Sequence, residues 1–504
     1  MSMILTKSIF QIYNDCRKNA WLKLHRPDIH GKKTLSAFEQ MLMDTGNEVD
    51  LYARKLFPNG YAVYNRDDFE YSNKLIAQHA NIIYQPVFSG GRFLAVPDIL
   101  VWNESAYAYD LYEVKASSGN EDEENDKVKK QHIQDVAFQK IALQNSGVAI
   151  NSFFLVRLNK EYIRQGEIIV QELFTIKNID VEVAEIEHDI HQRMEEAYAY
   201  LSRIDEPRGE CDCWYKIKNN HCTTAWYSLP NMPAYSIHSI SRLSSKKIAS
   251  LLEAGIVDIK DVPPDFELSE IQRRQVEVAV TNTPFIDKGA LHDFFSHITH
   301  PISFLDYESF PAGIPRFEGY SPYNQIPFQF SLHIAHDWDS SLEHYEFIHT
   351  TVDNPDIPFL EALKKYLPSS GSIVVWNKKF ELAINAHLCK RHPEYEMCCR
   401  DWENRVVDAM EPFSGNTSAI IYPGFKGSAS IKYVLPTLVP SLSYADLEIK
   451  EGGSASDLWN KIVSQQFSPQ ERLEKISHLK KYCARDSIAM YEIMRAVKKL
   501  VERS

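Results

Sequence analysis

The chain lacks any run of about 18 apolar residues, so its sequence offers no membrane-spanning helix. Its opening stretch, Met1-Ser2-Met3-Ile4-Leu5-Thr6-Lys7, runs into polar residues without the cleavage pattern of a secretory signal. Cysteine is sparse, with 8 in 504 residues. That excludes a disulfide-scaffolded fold and makes reduced thiols in the cytoplasm the expectation. Positive charge is not in excess either: 68 acidic against 55 basic residues give a net charge of −13. A surface coated in basic residues is therefore excluded. Nucleic acid as a partner is not, because phosphate contacts come from local Lys/Arg clusters and metal-dependent sites are themselves acidic. What is present is an ordinary globular composition, 44% apolar, over a length that suits two to four domains.

The most informative stretch is Phe304-Leu305-Asp306-Tyr307-Glu308-Ser309-Phe310. It reads as a short buried strand carrying two carboxylates at its end. Residues i and i+2 of a strand share a face, so Asp306 and Glu308 project together. Side by side they repel unless a cation stands between them, and a divalent metal is the usual answer. A second apolar strand, Val374-Val375-Trp376, leads through Asn377 to Glu381 at the head of a helix. On a late periodic helix, Tyr482 and Asp486 are four apart and share one face. Two hard cations held roughly 3.5–4 Å apart by such oxygen ligands activate water and stabilise the leaving oxygen of a phosphodiester.

This order of motifs resembles the DEDD exonucleases of the RNase H-like fold, in the subtype with a tyrosine in the last motif. The resemblance implies a two-metal (Mg²⁺ or Mn²⁺) site made by Asp306, Glu308, Glu381 and Asp486, with Tyr482 orienting the attacking water. The third acid of that family is normally Asp. Here it is Glu381, and Asp408 is the alternative for the same slot. The strand and helix order across 300–504 is similar to the RNase H-like core, and Lys432 is a candidate to face the substrate.

The N-terminal half carries a second pattern. Phe93 to Val101 and Ala108 to Ala116 read as a hairpin, with Asp98 on one strand and Glu113 and Lys115, again i and i+2, on the other. This resembles the PD-(D/E)XK nucleases, which implies that Asp98 and Glu113 bind Mg²⁺ while Lys115 acts on water or on the developing phosphorane charge. The other reading is a surface hairpin with a cross-strand salt bridge. After an acidic loop, Glu121 to Asp126, a helix over Lys127 to Asn145 contains Gln134 and Phe138. The RecB-type branch has Q-x-x-x-Y there, so Gln134 takes the catalytic glutamine position, with Gln139 the alternative register. Those enzymes often have a His on an early helix, and Glu48, in the helix read over 36–56, stands in its region.

Cys16 lies near the start, and Cys211, Cys213 and Cys222 follow the predicted nuclease core. One early and three late cysteines resemble the iron–sulphur RecB-type nucleases, including CRISPR-associated ones. The resemblance implies a 4Fe–4S cluster on these four residues, and four thiolates also suit zinc. Cys389, Cys398, Cys399 and Cys483 read as core or surface thiols. Residues 226–295 read as a helical connector, either plain or helix-hairpin-helix-like, with Lys246-Lys247 and Arg273-Arg274 as candidate phosphate contacts. The expectation is an α/β protein: a restriction-endonuclease-like (PD-(D/E)XK) domain over 1–225, the connector, and an RNase H-like domain over 296–504. With Gly319-Tyr320-Ser321-Pro322-Tyr323 and Ile326-Pro327-Phe328-Gln329-Phe330-Ser331-Leu332-His333 just after Asp306 and Glu308, the whole resembles a family of uncharacterised bacterial proteins. It implies a nuclease acting on DNA with single-stranded character or free ends, in repair or in defence against foreign DNA. RNA as substrate, and an N-terminal half that binds nucleic acid without cutting it, are the alternatives.

Overall fold

The computed structural model describes residues 3–31, 36–119, 128–209, 211–415 and 418–502. The fold is mixed α/β, as expected. No helix among the described residues is long and apolar enough to cross a membrane.

The N-terminal sheet has six strands. In spatial order they are Tyr61–Ala62, Ile82–Tyr84, Ile99–Asn103, Ala108–Gly119, Ile150–Asn159 and Phe174–Asn178. The hairpin of Ile99–Asn103 with Ala108–Gly119 is antiparallel, with Ile99 opposite Tyr112. The expected strand from Phe93 to Val101 is in fact broken. Phe93–Ala95 pairs with Leu5–Thr6 and Phe88–Gly90 in a separate three-stranded sheet. The break falls at Val96-Pro97-Asp98, where proline has no N–H to give a ladder. Asp98 therefore sits just ahead of the strand rather than on it. The helix after the hairpin is Lys130–Asn145. The acidic loop expected at 121–126 lies outside the described residues.

The C-terminal sheet has five strands, in the order Glu343–Ile348, Gln325–Ala335, Ile302–Pro311, Ile373–Val375, Val406–Asp408. Gln325–Ala335 is antiparallel to both of its neighbours, and the last two strands run parallel to Ile302–Pro311 and to each other. A central strand is buried on both faces, which is why Ile302, Phe304, Leu305, Tyr307 and Phe310 are all inside. The helix Pro469–Glu502 buries Leu479, Cys483, Met490, Ile493, Met494 and Val497 against this half.

Between the halves, residues 237–279 pack a small core of their own around Ile237, Leu243, Ile248, Leu251, Ile259 and Val276. The connector's basic pairs are partly used within it. Arg273 donates to the carbonyls of Pro263 and Phe266, Lys247 to that of Glu267, and Arg274 pairs with Glu270.

One helix, Ala37–Ala53, belongs to both halves. Its start is fixed by a capping box in which Ser36 and Glu39 satisfy each other's backbone N–H groups. Met41 is buried with Phe310, Phe328 and Trp459. Val49 and Ala53 are buried with Val156, Leu158 and Ile314. Fully burying a side chain such as Met41 or Val49 contributes roughly 1.5–3 kcal/mol, so this face alone anchors the helix across the boundary.

Candidate metal centres

Asp306 and Glu308 lie on the central strand, Glu381 in the first turn of helix Lys379–Arg391, and Tyr482 and Asp486 on the last helix. All of them line one cavity of about 430 Å³. The structure thus brings together five residues from three separated parts of the sequence. Glu308, Glu381 and Asp486 are buried, and Glu381 Oε2 has no hydrogen-bond partner among the described residues. Cys483 Sγ lies 3.4 Å from the Asp306 carboxylate. The donor atoms of Asp306, Glu308 and Cys483 are within 4.8 Å of one another.

Electrostatics follow from burial. Loss of solvent pushes Asp306 well above the usual carboxylate range, and the neighbouring charges of Asp486, Glu308 and Glu381 push it further. Glu308 rises for the same reasons. Burial also pushes Glu381 up to about 8, aided by Asp408. Asp486 is pushed up to about 6 by burial, although hydrogen bonds from Tyr444 and Tyr482 and the charge of Lys432 favour its ionised form. Tyr444 is a residue the sequence reading missed. It lies in an irregular segment before the last helix, and its hydroxyl donates to Asp486 Oδ1. No periodic or spacing signal pointed to it.

Asp408 has a different task from the one weighed for it. Its carboxylate accepts from the backbone N–H groups of Asn377 (2.9 Å), Lys378 (3.2 Å) and Met410 (3.0 Å). Asn377 is left-handed, with φ of 71°. Asp408 therefore ties the turn that launches the Glu381 helix, and Glu381 itself lines the cavity.

The N-terminal carboxylates are arranged otherwise. Asp98 accepts from Val114 N at 2.8 Å across the hairpin. Lys115 Nζ donates to Glu113 at 2.9 Å and to Asp135 at 2.6 Å. Lys7, at the head of helix Lys7–Asp15, also donates to Glu113, and Gln11 one turn later donates to Asp135 at 2.6 Å. Burial opposes ionisation of Glu113, yet Lys115 and Lys7 overcome it and hold Glu113 at about 2. Asp98 is pushed up to about 7, first by burial and then by Glu113.

The contact to Lys115 from helix Lys130–Asn145 is made by Asp135, one residue beyond Gln134. Gln139 donates to the Val96 carbonyl at 2.8 Å and accepts from its N–H at 3.0 Å, fixing the segment just before Asp98. On the early helix, Glu48 feels Arg316 of the C-terminal half. Asp50, two residues on, is the acid whose charge is felt with that of Glu113; it bonds Arg54 and Gln85.

Cys16, Cys211, Cys213 and Cys222 converge, their sulphur atoms all within 4.8 Å of one another, so this cluster could hold a metal ion. Cys16 caps the break between helices Lys7–Asp15 and Arg17–His25. Of the late three, Cys211 immediately precedes the turn Asp212–Tyr215, Cys213 lies in it and Cys222 follows it. Paired contacts join the two ends beside them. Arg17 binds Asp212, Lys216 binds Asp15, and Thr224 donates to Asn19. Hydrogen bonding from Cys211 and Cys213 lowers the Cys16 thiol to about 7. Cys389 and Cys399, expected to be unpaired thiols, are instead joined by a disulfide. Helices Lys379–Arg391 and Glu396–Arg405 fold back on each other and bring their Cα atoms to 6.5 Å.

The sequence model of a family described as a domain of unknown function (DUF2779) matches residues 303–430. That span holds Asp306, Glu308, Glu381 and Asp408 but stops short of Tyr444, Tyr482 and Asp486. No curated protein matches the chain.

Proposed function

We propose that this chain is a metal-dependent nuclease whose C-terminal half is a DEDD-type exonuclease on an RNase H-like sheet. The single observation that carries this reading is the acid cavity. Four carboxylates line one cavity, three of them buried, and Glu381 Oε2 lacks any partner among the described residues. Burying charge without compensation is costly, so such a cluster suits cations brought in from solution. Two Mg²⁺ or Mn²⁺ ions held by Asp306, Glu308, Glu381 and Asp486 would supply water activation and stabilisation of the leaving oxygen.

The protein's own residues set the stage for that chemistry. Tyr482 and Tyr444 favour the ionised form of Asp486 against the opposing effect of burial, and Tyr444 fixes its orientation. Asp408 fixes the turn that delivers Glu381. Tyr482 keeps its proton across the working pH range, because burial and the surrounding carboxylates push its pKa far up. It is therefore a hydroxyl donor for orienting water.

The four-cysteine cluster is read as the seat of a 4Fe–4S centre, with zinc as the other candidate. It would staple the two ends of a RecB-like, PD-(D/E)XK domain spanning 1–225. For that half a second reading has a specific observation in its favour. Lys7 and Lys115 already neutralise Glu113, which suits a domain that binds nucleic acid without cutting it. The substrate is read as DNA with single-stranded character or free ends, met in the cytoplasm during repair or defence. The test is incubation of the full chain with end-labelled single- and double-stranded DNA and RNA in Mg²⁺, Mn²⁺ or EDTA. Metal-dependent shortening from an end supports the reading. No cleavage of any of the four substrates refutes it.

A further inference from the structure

We propose that the acid cavity receives the unpaired end of a nucleic-acid strand, and that Phe38, from the N-terminal half, is the platform on which its base stacks. This deepens the nuclease reading and rests on it.

The cavity is not built by the C-terminal half alone. Its walls include Phe38 and Met41 of helix Ala37–Ala53, more than two hundred residues upstream of Asp306. The helix cannot easily slide or turn away. Met41 is 3% exposed inside the C-terminal core. One turn on, Thr45 lies against Gly313 so closely that a Cβ there would come 2.6 Å from Thr45 Cγ2. One turn further, Val49 packs with Ile314. Positions 41, 45 and 49 form one face at a spacing of four.

Phe38 sits at the free end of this clamped helix. It remains 43% exposed while lining the cavity that holds the acids. Its seat is specific. A Cβ on Gly453 would fall 2.6 Å from Phe38 Cβ, so glycine at 453 lets the ring's backbone approach. The next glycine, Gly452, lies against Glu308: a Cβ there would be 3.7 Å from its carboxylate. The ring and the acid are thus held by adjacent residues of one helix start.

The chemistry this selects is narrow. The acids require a ligand that arrives with cations, such as a phosphodiester. An uncharged, half-exposed ring beside them suits a planar group presented face-on, and every nucleobase has such a face. A cavity of about 430 Å³ is on the scale of a small ligand. A double helix, whose major groove alone is about 12 Å wide, does not enter it. An unpaired end does.

The experiment is steady-state cleavage of a labelled single-stranded oligonucleotide in Mn²⁺ by the full chain and three variants. Phe38→Ala is expected to raise KM roughly tenfold or more, the size of one lost base–aromatic stack. The loss should fall on KM rather than kcat, and Phe38→Trp should restore it. Gly453→Ala, which displaces the ring without touching an acid, should reproduce part of the effect. The wild-type protein should prefer the single strand to a blunt duplex. A KM for Phe38→Ala within twofold of wild type, a Phe38→Trp variant as impaired as the alanine, or a preference for the blunt duplex would each overturn the proposal. If the wild-type protein cleaves nothing, the nuclease reading fails and takes this one with it. If it cleaves well but ignores residue 38, only the stacking platform fails.

Discussion

In the N-terminal cluster Glu113 is buried completely, yet two lysines keep it ionised down to about 2. In the C-terminal cavity Glu381 is buried almost as deeply, and burial together with the charge of Asp408 raises it to about 8. Both sites put carboxylates on neighbouring strands and helices of a mixed sheet. They differ in whether the chain supplies its own counter-charge. A self-neutralised cluster is stable without a ligand and binds cations only by displacing a lysine. An uncompensated cluster is unstable by itself and gains when cations arrive.

The largest expected effect separates the two sites by activity. Asp306→Ala should abolish metal-dependent end cleavage, a loss on the order of a thousandfold or more, since it removes a ligand used in the transition state. Glu113→Ala assayed on the same linear substrate should cost far less. Equal losses would erase the distinction, because both clusters would then serve one reaction.

Next in size is the cysteine cluster. Cys16→Ser should remove the bound metal and lower the thermal midpoint markedly, because a metal bound only by the folded state contributes directly to its stability. The readout is iron and zinc content together with the melting curve. A variant that keeps both its metal content and its midpoint would show that Cys16 is not a ligand.

The pH dependence contributed by Glu381 and Asp486 should have the opposite sign to that contributed by Glu113, while Asp98, pushed up to about 7, acts in the same direction as the C-terminal acids. Glu381 and Asp486 have folded pKa values of about 8 and about 6, above their unfolded values. The folded state therefore holds protons that the unfolded state has released. Metal-free protein should lose stability as pH rises from about 5 to 8, by up to roughly 1.4 kcal/mol per pH unit for each such group. Glu113 acts in reverse. Its folded pKa of about 2 lies below its unfolded value, so its contribution is present at neutral pH and is lost as pH falls towards 2. Glu381→Gln should flatten the alkaline loss and raise the midpoint of metal-free protein at pH 8, read by thermal melts in EDTA. A melt that stays as steep in the variant would locate the protons elsewhere.

The smallest effect concerns the disulfide in the C-terminal half. Cys389→Ser should remove the Cys389–Cys399 bridge, which closes a loop only ten positions long, and lower stability by about 3 kcal/mol or less. Thiol titration before and after reduction checks it. An unchanged thiol count would mean the pair is reduced in the isolated protein.

Much of the C-terminal site was legible because its acids announce themselves by period: i and i+2 on a strand for Asp306 and Glu308, i and i+4 on a helix for Tyr482 and Asp486. Tyr444 was not, since it reaches Asp486 from a segment without regular structure. Lys7 and Asp135 were missed for another reason. Each completes the Glu113–Lys115 pair from a distant helix, and a short motif does not encode what packs across it. The break at Pro97 was visible in principle, because proline removes a ladder donor, but a long apolar run masked it. Glu48 and Asp50 show the limit of register: two residues apart on one helix, they face different halves of the protein.

The most direct test of the contrast is calorimetric titration of Mn²⁺ at pH 7.5 into full-length protein carrying Glu113→Gln, with and without Asp306→Asn. The expected result is saturable binding accompanied by proton release in the first protein, because carboxylates held up by burial must ionise to bind, and loss of that binding in the second. Equal binding in both, or none in the first, would contradict a cation site at the C-terminal acids.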